Sequence, residues 1–447
     1  MKKFLSLLLA VIMVVAALAG CGSQPAENSA TPTSSAPAET SSTPEAAKDV
    51  TITISNWLEA EEATSAIFKE LINDFMAANP GIKVESIAIP FNQYKDQILI
   101  AGTSGNTADV IMGNSQMMSA FNGSGILAEL DTLASKEVLD DIYPGYLSGT
   151  TYNGKVKALS WAPHPIAMYY NKELFTKAGL DPEKAPSTWE DMTAAARAIS
   201  KLGKDASGNT LYGLGIPTGK VAHTGTVLNG VLYAFGGQFV DLDGKVAINN
   251  ERNIEALTYL KTLVDEKVIP VGLEIKDLRG LFAAGQIGII FDGDMGRGAY
   301  RKSSGLDKEF DKKMGIAIIP TGKTGRSETV YTEHQLAVFA KSEKKEAAIK
   351  LCEFLISKDA MLKYHKSNAV LSARKSIAAL PEMNEDYFME VFNKQSETAS
   401  PLPATSAMFD NAMNEMTKAV ERIVVAKEDI KTVLAETEAT IKTIYGQ

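Results

Sequence analysis

The feature that most restricts the fold of this chain is a regular alternation between two apolar patterns. Residues 50–54 alternate apolar and polar side chains, which predicts a half-buried β-strand. Residues 67–76 repeat apolar side chains at helical spacing, and the Asn-Pro-Gly of residues 79–81 ends that helix. Strand and helix patterns continue in turn to residue 112 and return after residue 160. This order predicts an α/β fold with mostly parallel sheets that are covered by helices on both faces.

The second half of the chain continues the alternation and then becomes helical. Ser187 and Glu190 fit a capping box at the start of a predicted helix over residues 189–202. Beyond residue 344 the pattern is almost entirely helical, and no repeat of 20–50 residues is found. Further strands are predicted at residues 84–89, 110–112, 166–170, 211–216, 287–291, 315–320 and 336–339.

Length, charge and cysteine content narrow the class of protein. Residues 49–447 are enough for two domains, each with its own core. The chain carries 45 Lys and Arg against 54 Asp and Glu, a net charge of −9. This acidic balance argues against nucleic acid and against an anionic lipid surface as ligands. Besides Cys21 the only cysteine is Cys352, so no intramolecular disulfide is expected, and Cys352 is predicted to be a small core residue.

The first residues have the form of an export signal. Lys2 and Lys3 precede an uncharged apolar run over residues 4–17, which is shorter than the roughly 20 residues that a membrane-spanning helix needs. This arrangement predicts a signal peptide over residues 1–20. The Leu-Ala-Gly-Cys that ends at Cys21 resembles the lipobox of bacterial lipoproteins, which implies that Cys21 carries a diacylglycerol.

The segment after Cys21 has the composition of a tether. Residues 22–48 are rich in Ser, Thr, Pro, Ala and Glu and contain no aromatic or large aliphatic side chain. Such a segment cannot bury enough apolar surface to offset the entropy of ordering it. We therefore expect residues 21–48 to form a lipidated, disordered tether. It would hold the protein at the extracellular face of the cell membrane, as in Gram-positive bacteria.

Five segments, in order along the chain, carry a family resemblance. Residues 169–175 read Tyr-Tyr-Asn-Lys-Glu-Leu-Phe and are followed by Pro-Ser-Thr-Trp-Glu at residues 186–190. With the others, they resemble the extracellular solute-binding protein family 1 of ABC importers, the group that contains maltose-binding protein. The other segments are Asn-Pro-Gly-Ile-Lys-Val at 79–84, Ala-Asp-Val at 108–110, Phe-Ala-Ala-Gly-Gln at 282–286 with Gly293, and the helical run 408–444.

The resemblance implies two discontinuous α/β lobes joined by a hinge, with the ligand in the cleft between them. The N-terminal lobe would hold residues 49–160 plus about 300–370, and the C-terminal lobe 161–300 plus about 371–447. The chain would cross between lobes near residues 159–166 and 331–337. The family implies a monomer without catalytic activity, cofactor or metal. The resemblance further implies that the protein captures a small saccharide by hinge closure and delivers it to the permease subunits of an ABC transporter.

Candidate ligand contacts follow from two arguments. In open α/β sheets, ligands bind at the carboxyl ends of strands, and sugars need flat aromatic and planar polar side chains. That rule selects Asn56, Trp57, Glu59, Asn114, Ser115, Gln116, Asp292, Asp294 and Arg297, and on the return crossing Glu333 and His334. The family's contacts add His164 and Phe409 and coincide with residues 114–116.

Several of these residues keep a structural alternative. Residues 114–116 could cap the next helix, and Asp292, Asp294 and Arg297 could form an ion pair within their own loop. Trp57, His164, Glu333 and His334 could support the sheet or the hinge, and Phe409 could belong to the core.

Three other classes of function stay open beside saccharide capture: a non-sugar ligand, catalysis, and a sensory or structural role. Tyr169 and Tyr170 are adjacent, as in iron-binding relatives of this fold, and the acidic balance would suit a polyamine. A glycosidase could use any two of the many carboxylates, although no G-x-S-x-G, H-E-x-x-H or C-x-x-C motif is present. A sensory or structural surface lipoprotein could use the same cleft.

Replacing Cys21 by Ser tests the anchor. Because serine cannot form the thioether, we expect the Cys21→Ser protein to leave the membrane fraction or to keep its signal peptide. Fractionation and intact mass measure this. An unchanged mass and an unchanged membrane fraction would contradict the lipid anchor.

Overall fold

Two β-sheets, one of six strands and one of four, organise the described part of the protein. A computed structural model describes residues 49–219, 222–241, 243–404 and 406–447. These residues belong to one unit that spans Lys48–Gln447. The predicted signal peptide, Cys21 and the tether lie outside the described residues. Within the described ranges, no helix is both long and apolar enough to span a bilayer.

The strands agree with most of the predicted strand segments, with shifts of a few residues at their ends. In chain order they are β1 (Val50–Asn56), β2 (Ile82–Ala88), β3 (Val110–Gly113), β4 (Thr151–Tyr152), β5 (Lys155–Val156), β6 (Leu159–Pro165), β7 (Ala167–Asn171), β8 (Tyr212–Gly215), β9 (Ile287–Asp292), β10 (Met314–Ala317), β11 (Thr329–Val338) and β12 (Ala399–Ser400).

Helices fill most of the remaining chain. They are α1 (Glu62–Ala78), α2 (Phe91–Thr103), α3 (Ser115–Gly123), α4 (Lys136–Asp141), α5 (Pro144–Gly149), α6 (Lys172–Lys177), α7 (Trp189–Ser200), α8 (Ala222–Ala234), α9 (Glu251–Asp265), α10 (Ile275–Ala283), α11 (Met295–Ser304), α12 (Lys345–Leu355), α13 (Lys358–Asn368), α14 (Lys375–Ala378), α15 (Tyr387–Ser396), α16 (Phe409–Val424) and α17 (Ile430–Tyr445). Short 3₁₀ turns cover Leu58–Ala60, Asp307–Lys313 and Pro381–Asn384.

The six-stranded sheet is parallel where strands and helices alternate. Its order is β12-β11-β3-β1-β2, and β6 pairs with β11 beside this path. β1 runs parallel to β2 and β3. β11 runs antiparallel to β3 and to β6, so the two strands that connect this sheet to the other one lie side by side.

The four-stranded sheet differs from the predicted parallel arrangement. Its order is β10-β7-β9-β8, and only β8 and β9 are parallel. β7 runs antiparallel to β9 and to β10. β7 does not enter this sheet through a helical crossover from another of its strands. It continues directly from β6 of the six-stranded sheet with only Ile166 between them, and its partners β9 and β10 come much later in the chain. The α/β class is confirmed, and the prediction of mostly parallel pairing is wrong for this sheet.

Each sheet has its own apolar core. Residues of β1, β3, α1, α12 and α13 form the core of the six-stranded sheet, where Cys352 is fully buried as predicted. The four-stranded sheet separates two further cores, because successive side chains of a strand point to opposite faces. Along β7, Met168 and Tyr170 pack on one face, and Ala167 and Tyr169 on the other. The two adjacent tyrosines therefore pack in different cores.

Two stretches lie on the other side of the predicted lobe boundaries. β10 pairs with β7, although residues 300–370 are predicted to belong to the N-terminal lobe. Ile377 and Met383 pack in the core of the six-stranded sheet, although residues from about 371 are predicted to belong to the C-terminal lobe. Periodicity identifies a strand or a helix but not the sheet against which it packs. The division into lobes itself stays a prediction.

One helix start also differs from its prediction. The Thr188 side chain, not that of Ser187, accepts a hydrogen bond from the Asp191 N–H at 3.1 Å and caps α7. Moving the cap by one residue brings Asp191 rather than Glu190 to the third helical position. The predicted capping box is therefore wrong, while the helix itself is confirmed.

Candidate ligand-binding site

A cavity of about 660 Å³ lies where the two sheets meet. Trp57, Phe91 and Asn114 reach it from loops and a helix start next to the six-stranded sheet. Asp294 and Arg297 reach it from the start of α11, just after β9 of the four-stranded sheet. β6 and β11 cross behind it and contribute His164, Glu333 and His334. We call this cavity the cleft.

One wall of the cleft is aromatic. Trp57 follows β1 and is only 3% exposed, because Phe91, Tyr94 and His334 contact it edge-to-face at ring-centroid distances of 5.0–5.3 Å. Phe91 begins α2 and is 50% exposed. An exposed ring on a rigid aromatic base can cover the apolar face of a ligand at little cost in conformational entropy.

A hydrogen-bonded pair joins the two sides of the cleft. His164 on β6 places Nδ1 at 2.9 and 3.0 Å from the carboxylate oxygens of Asp294, which also caps α11 by accepting from the Met295 N–H. Burial alone would lower the pKa of His164, but the charge and hydrogen bond of Asp294, with the charge of Glu333, raise it overall. Nδ1 therefore carries the proton that faces Asp294. Nε2 is buried, and no partner for it is found among the described residues.

Glu333 lies deeper, on the strand that crosses behind the cleft. Its carboxylate accepts hydrogen bonds from Ser160, from Gln335 and, at 3.3 Å, from Ser115. Desolvation by burial raises its pKa to about 7 and outweighs these hydrogen bonds. The group can therefore hold a proton near neutral pH.

The neighbouring His334 has the opposite shift. Desolvation by burial, together with the charge of His164, lowers its pKa to about 3, so its ring is neutral at physiological pH. Its Nδ1 is buried, and the described residues offer it no partner. The rings of His164 and His334 lie 5.5 Å apart in an edge-to-face arrangement.

The family model for bacterial extracellular solute-binding proteins matches residues 59–362, which is more than half of the chain. The chain belongs to the bacterial extracellular solute-binding protein family. The predicted family is therefore confirmed, and the family's description is one of binding rather than catalysis.

Individual relatives and solved structures agree with this family. A protein of Brucella abortus (strain 2308), named as a binding protein, is 26% identical over 346 residues, 77% of this chain and 79% of that one. A maltooligosaccharide ABC transporter solute-binding lipoprotein of Streptococcus pneumoniae (strain ATCC BAA-255 / R6) is 24% identical over 442 residues, 96% of this chain and 95% of that one. The structure of the sugar-binding protein MalE from Xanthomonas citri superposes with a TM-score of 0.78 at 20% identity, covering 89% of this chain and 98% of that one. The fold is that of type II periplasmic binding proteins.

The cleft brings together most of the residues that the sequence selects. Ser115 lies behind them and reaches the cleft only through its hydrogen bond to Glu333. Asn114 also caps α3, accepting from the Met117 N–H at 3.0 Å, so its cap and cleft positions coexist. The predicted residues that line the cleft are Trp57, Asn114, His164, Asp294, Arg297, Glu333 and His334.

Three predicted contacts near the strand ends lie outside the cleft. Asn56 is buried and fixes the turn after β1, donating to the Ser86 hydroxyl and accepting from the Glu59 N–H, both at 2.8 Å. The Glu59 side chain turns away and pairs with Lys69 at 3.4 Å. Gln116 lies in the first turn of α3, and its side chain does not line the cleft.

Two further predicted contacts are structural instead. Asp292 is fully buried, where Arg279 binds both of its carboxylate oxygens at 2.7 Å and Tyr300 donates to it at 2.8 Å. Phe409 is 1% exposed and packs against Phe239 in a core of the four-stranded sheet. The side chains of Asp292 and Phe409 point into the protein and do not line the cleft, so the structure does not place them as ligand contacts.

The sequence argument does not select several of the residues that line the cleft. Phe91 could have been found, because it comes just after β2 and satisfies the same strand-end rule as Trp57. Tyr364 and Val370 arrive at the end of α13, which packs on α1, and no local sequence signal indicates this. Further members are Leu58, Glu61, Thr64, Met295, Gly298, Ala299, Arg301, Thr332, Asn368, Ala369 and Met389.

Another large cavity does not compete with the cleft as the ligand site. It measures about 720 Å³ and lies between the outer helices α7 and α9, away from the strand ends. Ligands of open α/β sheets bind at the carboxyl ends of strands, and this cavity is lined by helix side chains such as Arg197, which pairs with Glu266 at 2.6 Å. Among the described residues, no group of three or more His, Cys, Asp or Glu is placed to hold a metal ion.

The raised pKa of Glu333 predicts how stability depends on pH. The folded protein keeps this proton up to about pH 7, whereas an unfolded glutamate loses it near pH 4.5. The stabilisation that the proton provides is complete below pH 4.5 and is lost as the pH rises through 7. We expect the free energy of unfolding of the wild type, relative to Glu333→Gln, to fall by on the order of 2 kcal/mol between these pH values.

Urea unfolding at pH 4.5, 6 and 7.5 measures this difference. The exposed Glu382→Gln serves as the matched control and should not reproduce it. Parallel curves for wild type and Glu333→Gln would contradict the proposed protonation of Glu333.

Proposed function

We propose that this protein is the sugar-binding component of an ABC importer. It captures a saccharide, from a monosaccharide to a short oligosaccharide, in the cleft and delivers it to the permease. The observation that carries the proposal is that the cleft is lined both by the exposed Phe91 ring and by His164 and His334, whose buried Nε2 and Nδ1 find no partner among the described residues. A sugar offers both an apolar ring face and hydroxyl groups that can donate or accept.

Two lobes, one built around each sheet, close on the sugar. The connections between them include the short step from β6 to β7, the start of β11 and the segment between Met383 and Phe388, which pack in different cores. A ligand shifts the open and closed populations only if it binds one of them better. Contacts to Trp57 and Phe91 on one side and to Asp294 on the other require both lobes at once, so the sugar favours the closed form.

The size of the cleft and the relatives support a small saccharide. A cavity of about 660 Å³ lies within the range of roughly 300–1,000 Å³ that holds small ligands. The pneumococcal relative, which aligns with 96% of this chain, is named for a maltooligosaccharide.

The proposal includes the place where the protein works. We infer a monomer at the extracellular face of the membrane, anchored through a diacylglycerol on Cys21. The Leu-Ala-Gly-Cys sequence supports this, and the pneumococcal relative is named as a lipoprotein. Two acyl chains suffice for stable anchoring, since each buried methylene contributes about 0.8 kcal/mol.

A ligand panel with a matched pair of variants tests the proposal. The panel contains mono-, di- and short oligosaccharides together with spermidine, ferric citrate and short peptides, read by thermal shift. A ligand at 100 times its Kd should stabilise the folded protein by about 2.7 kcal/mol. Stabilisation by spermidine or ferric citrate, and by no sugar, would contradict the assignment.

The variant pair tests whether a sugar that binds uses the aromatic wall. Phe91 and Ile100 are both exposed apolar residues on α2, but only Phe91 lines the cleft. We expect Phe91→Ala to weaken the affinity about ten-fold, roughly 1.4 kcal/mol, because the ring covers the ligand. Ile100→Ala should bind like the wild type, and both variants should keep most of their stability. Equal affinities of the two variants in calorimetry would place the ligand elsewhere.

A further inference from the structure

The cations that line the cleft are already neutralised by carboxylates. Arg297 binds Asp311 at 2.7 Å and Asp386 at 2.6 Å, and its guanidinium also lies 4.0 Å from the centre of the Phe388 ring. Arg301 shares Asp311, to which its Nε donates at 2.9 Å. Among the residues that the structure describes, no lysine lines the cleft. Neither guanidinium is therefore free to bind a negative charge on a ligand.

The third possible cation, His164, is held in the same way. Asp294 accepts from Nδ1 with both carboxylate oxygens at hydrogen-bond distance. A carboxylate on the ligand could approach Nε2, but it would then place two negative charges across one imidazolium. Glu333, on the adjacent strand, lines the same part of the cleft.

The cleft also holds a carboxylate with no counter-charge. Glu61 precedes α1 and lines the cleft, and no ion-pair partner for it is found among the described residues. Around the cleft the four carboxylates of Glu61, Asp294, Asp311 and Asp386 outnumber the three cations Arg297, Arg301 and His164, and Glu333 adds no positive charge whether or not it holds its proton. These charges therefore oppose the approach of an anion to the cleft.

From this charge arrangement, and resting on the proposed function, we propose that the cleft selects uncharged saccharides and rejects acidic ones. The rejected class comprises uronic acids, aldonic acids and sugar phosphates. A neutral hydroxyl donates to a carboxylate or accepts from an imidazole without adding charge. Burying an anion without a free cation costs desolvation free energy and adds repulsion from the neighbouring carboxylates.

Pairs of sugars that differ only in one charged group test this selectivity. The probes are glucose and glucuronic acid, galactose and galacturonic acid, and maltitol and maltobionic acid, titrated calorimetrically into the wild-type protein at low salt. In any pair that binds, we expect the acid to bind at least about 100-fold more weakly than the neutral sugar. An acid that binds as tightly as its neutral partner, or more tightly, would overturn the inference and leave the proposed function intact. If neither these six nor any other sugar binds, the proposed function fails and the inference with it.

Two variants test the physical cause. Asp311→Asn removes the carboxylate that Arg297 and Arg301 share and should raise the affinity for the acid at least ten-fold. Glu61→Gln removes a carboxylate at an exposed position, so folding should be unaffected. We expect this variant to raise the affinity for the acid several-fold. Asp265→Asn, which breaks a surface pair between the end of α9 and Lys427 in the loop after α16, is the control and should change nothing. If the acid gains affinity in neither Asp311→Asn nor Glu61→Gln, the charge explanation is wrong.

Discussion

The pairing of β6 with β11 joins the two sheets and forms the floor of the candidate site. These antiparallel strands connect the two sheets, and they continue past each other through backbone hydrogen bonds. At the junction the Ile166 N–H donates to the Val330 carbonyl at 3.0 Å, and the Thr329 hydroxyl donates to the Ile166 carbonyl at 2.7 Å. Because the same strands carry His164, Glu333 and His334, the hinge and the floor of the site are one element. A ligand that contacts these side chains acts directly on the connection between the sheets.

The polar side chains on β6 and β11 are costly to bury, and each of the three is stabilised in a different way. Glu333 is surrounded by three donors and tends to keep its proton, His334 stays neutral, and His164 gains a carboxylate partner. Each buried polar atom that stays unpaired costs about 1–3 kcal/mol. The Nε2 of His164 and the Nδ1 of His334 carry this cost in the free protein. A hydroxylated ligand can remove it, so the unpaired atoms favour binding.

The sequence predicts the strands and the residues that follow them, because local periodicity and chain direction are enough for both. Trp57, Asn114 and Asp294 were found in this way. Asn56 precedes Trp57 by one residue, yet it serves the turn, since adjacent side chains of a strand point in opposite directions. Phe409 and Asp292 have the right residue type for a site, but their long-range partners draw them into the protein. Those partners, like the sheet that β10 joins and the position of Tyr364 beside the cleft, depend on packing between distant segments.

We propose that a sugar binds between the two sheets and draws them together about β6 and β11. Spin labels on Asn92→Cys in α2 and Lys302→Cys in α11 would report this motion across the mouth of the cleft. Both positions are exposed, while the native Cys352 is fully buried and should not react. Double electron–electron resonance on the labelled protein, with and without a sugar that binds, measures the distance between them. We expect a shorter and narrower distance distribution with the sugar. An unchanged distribution under conditions where calorimetry shows full occupancy would contradict it.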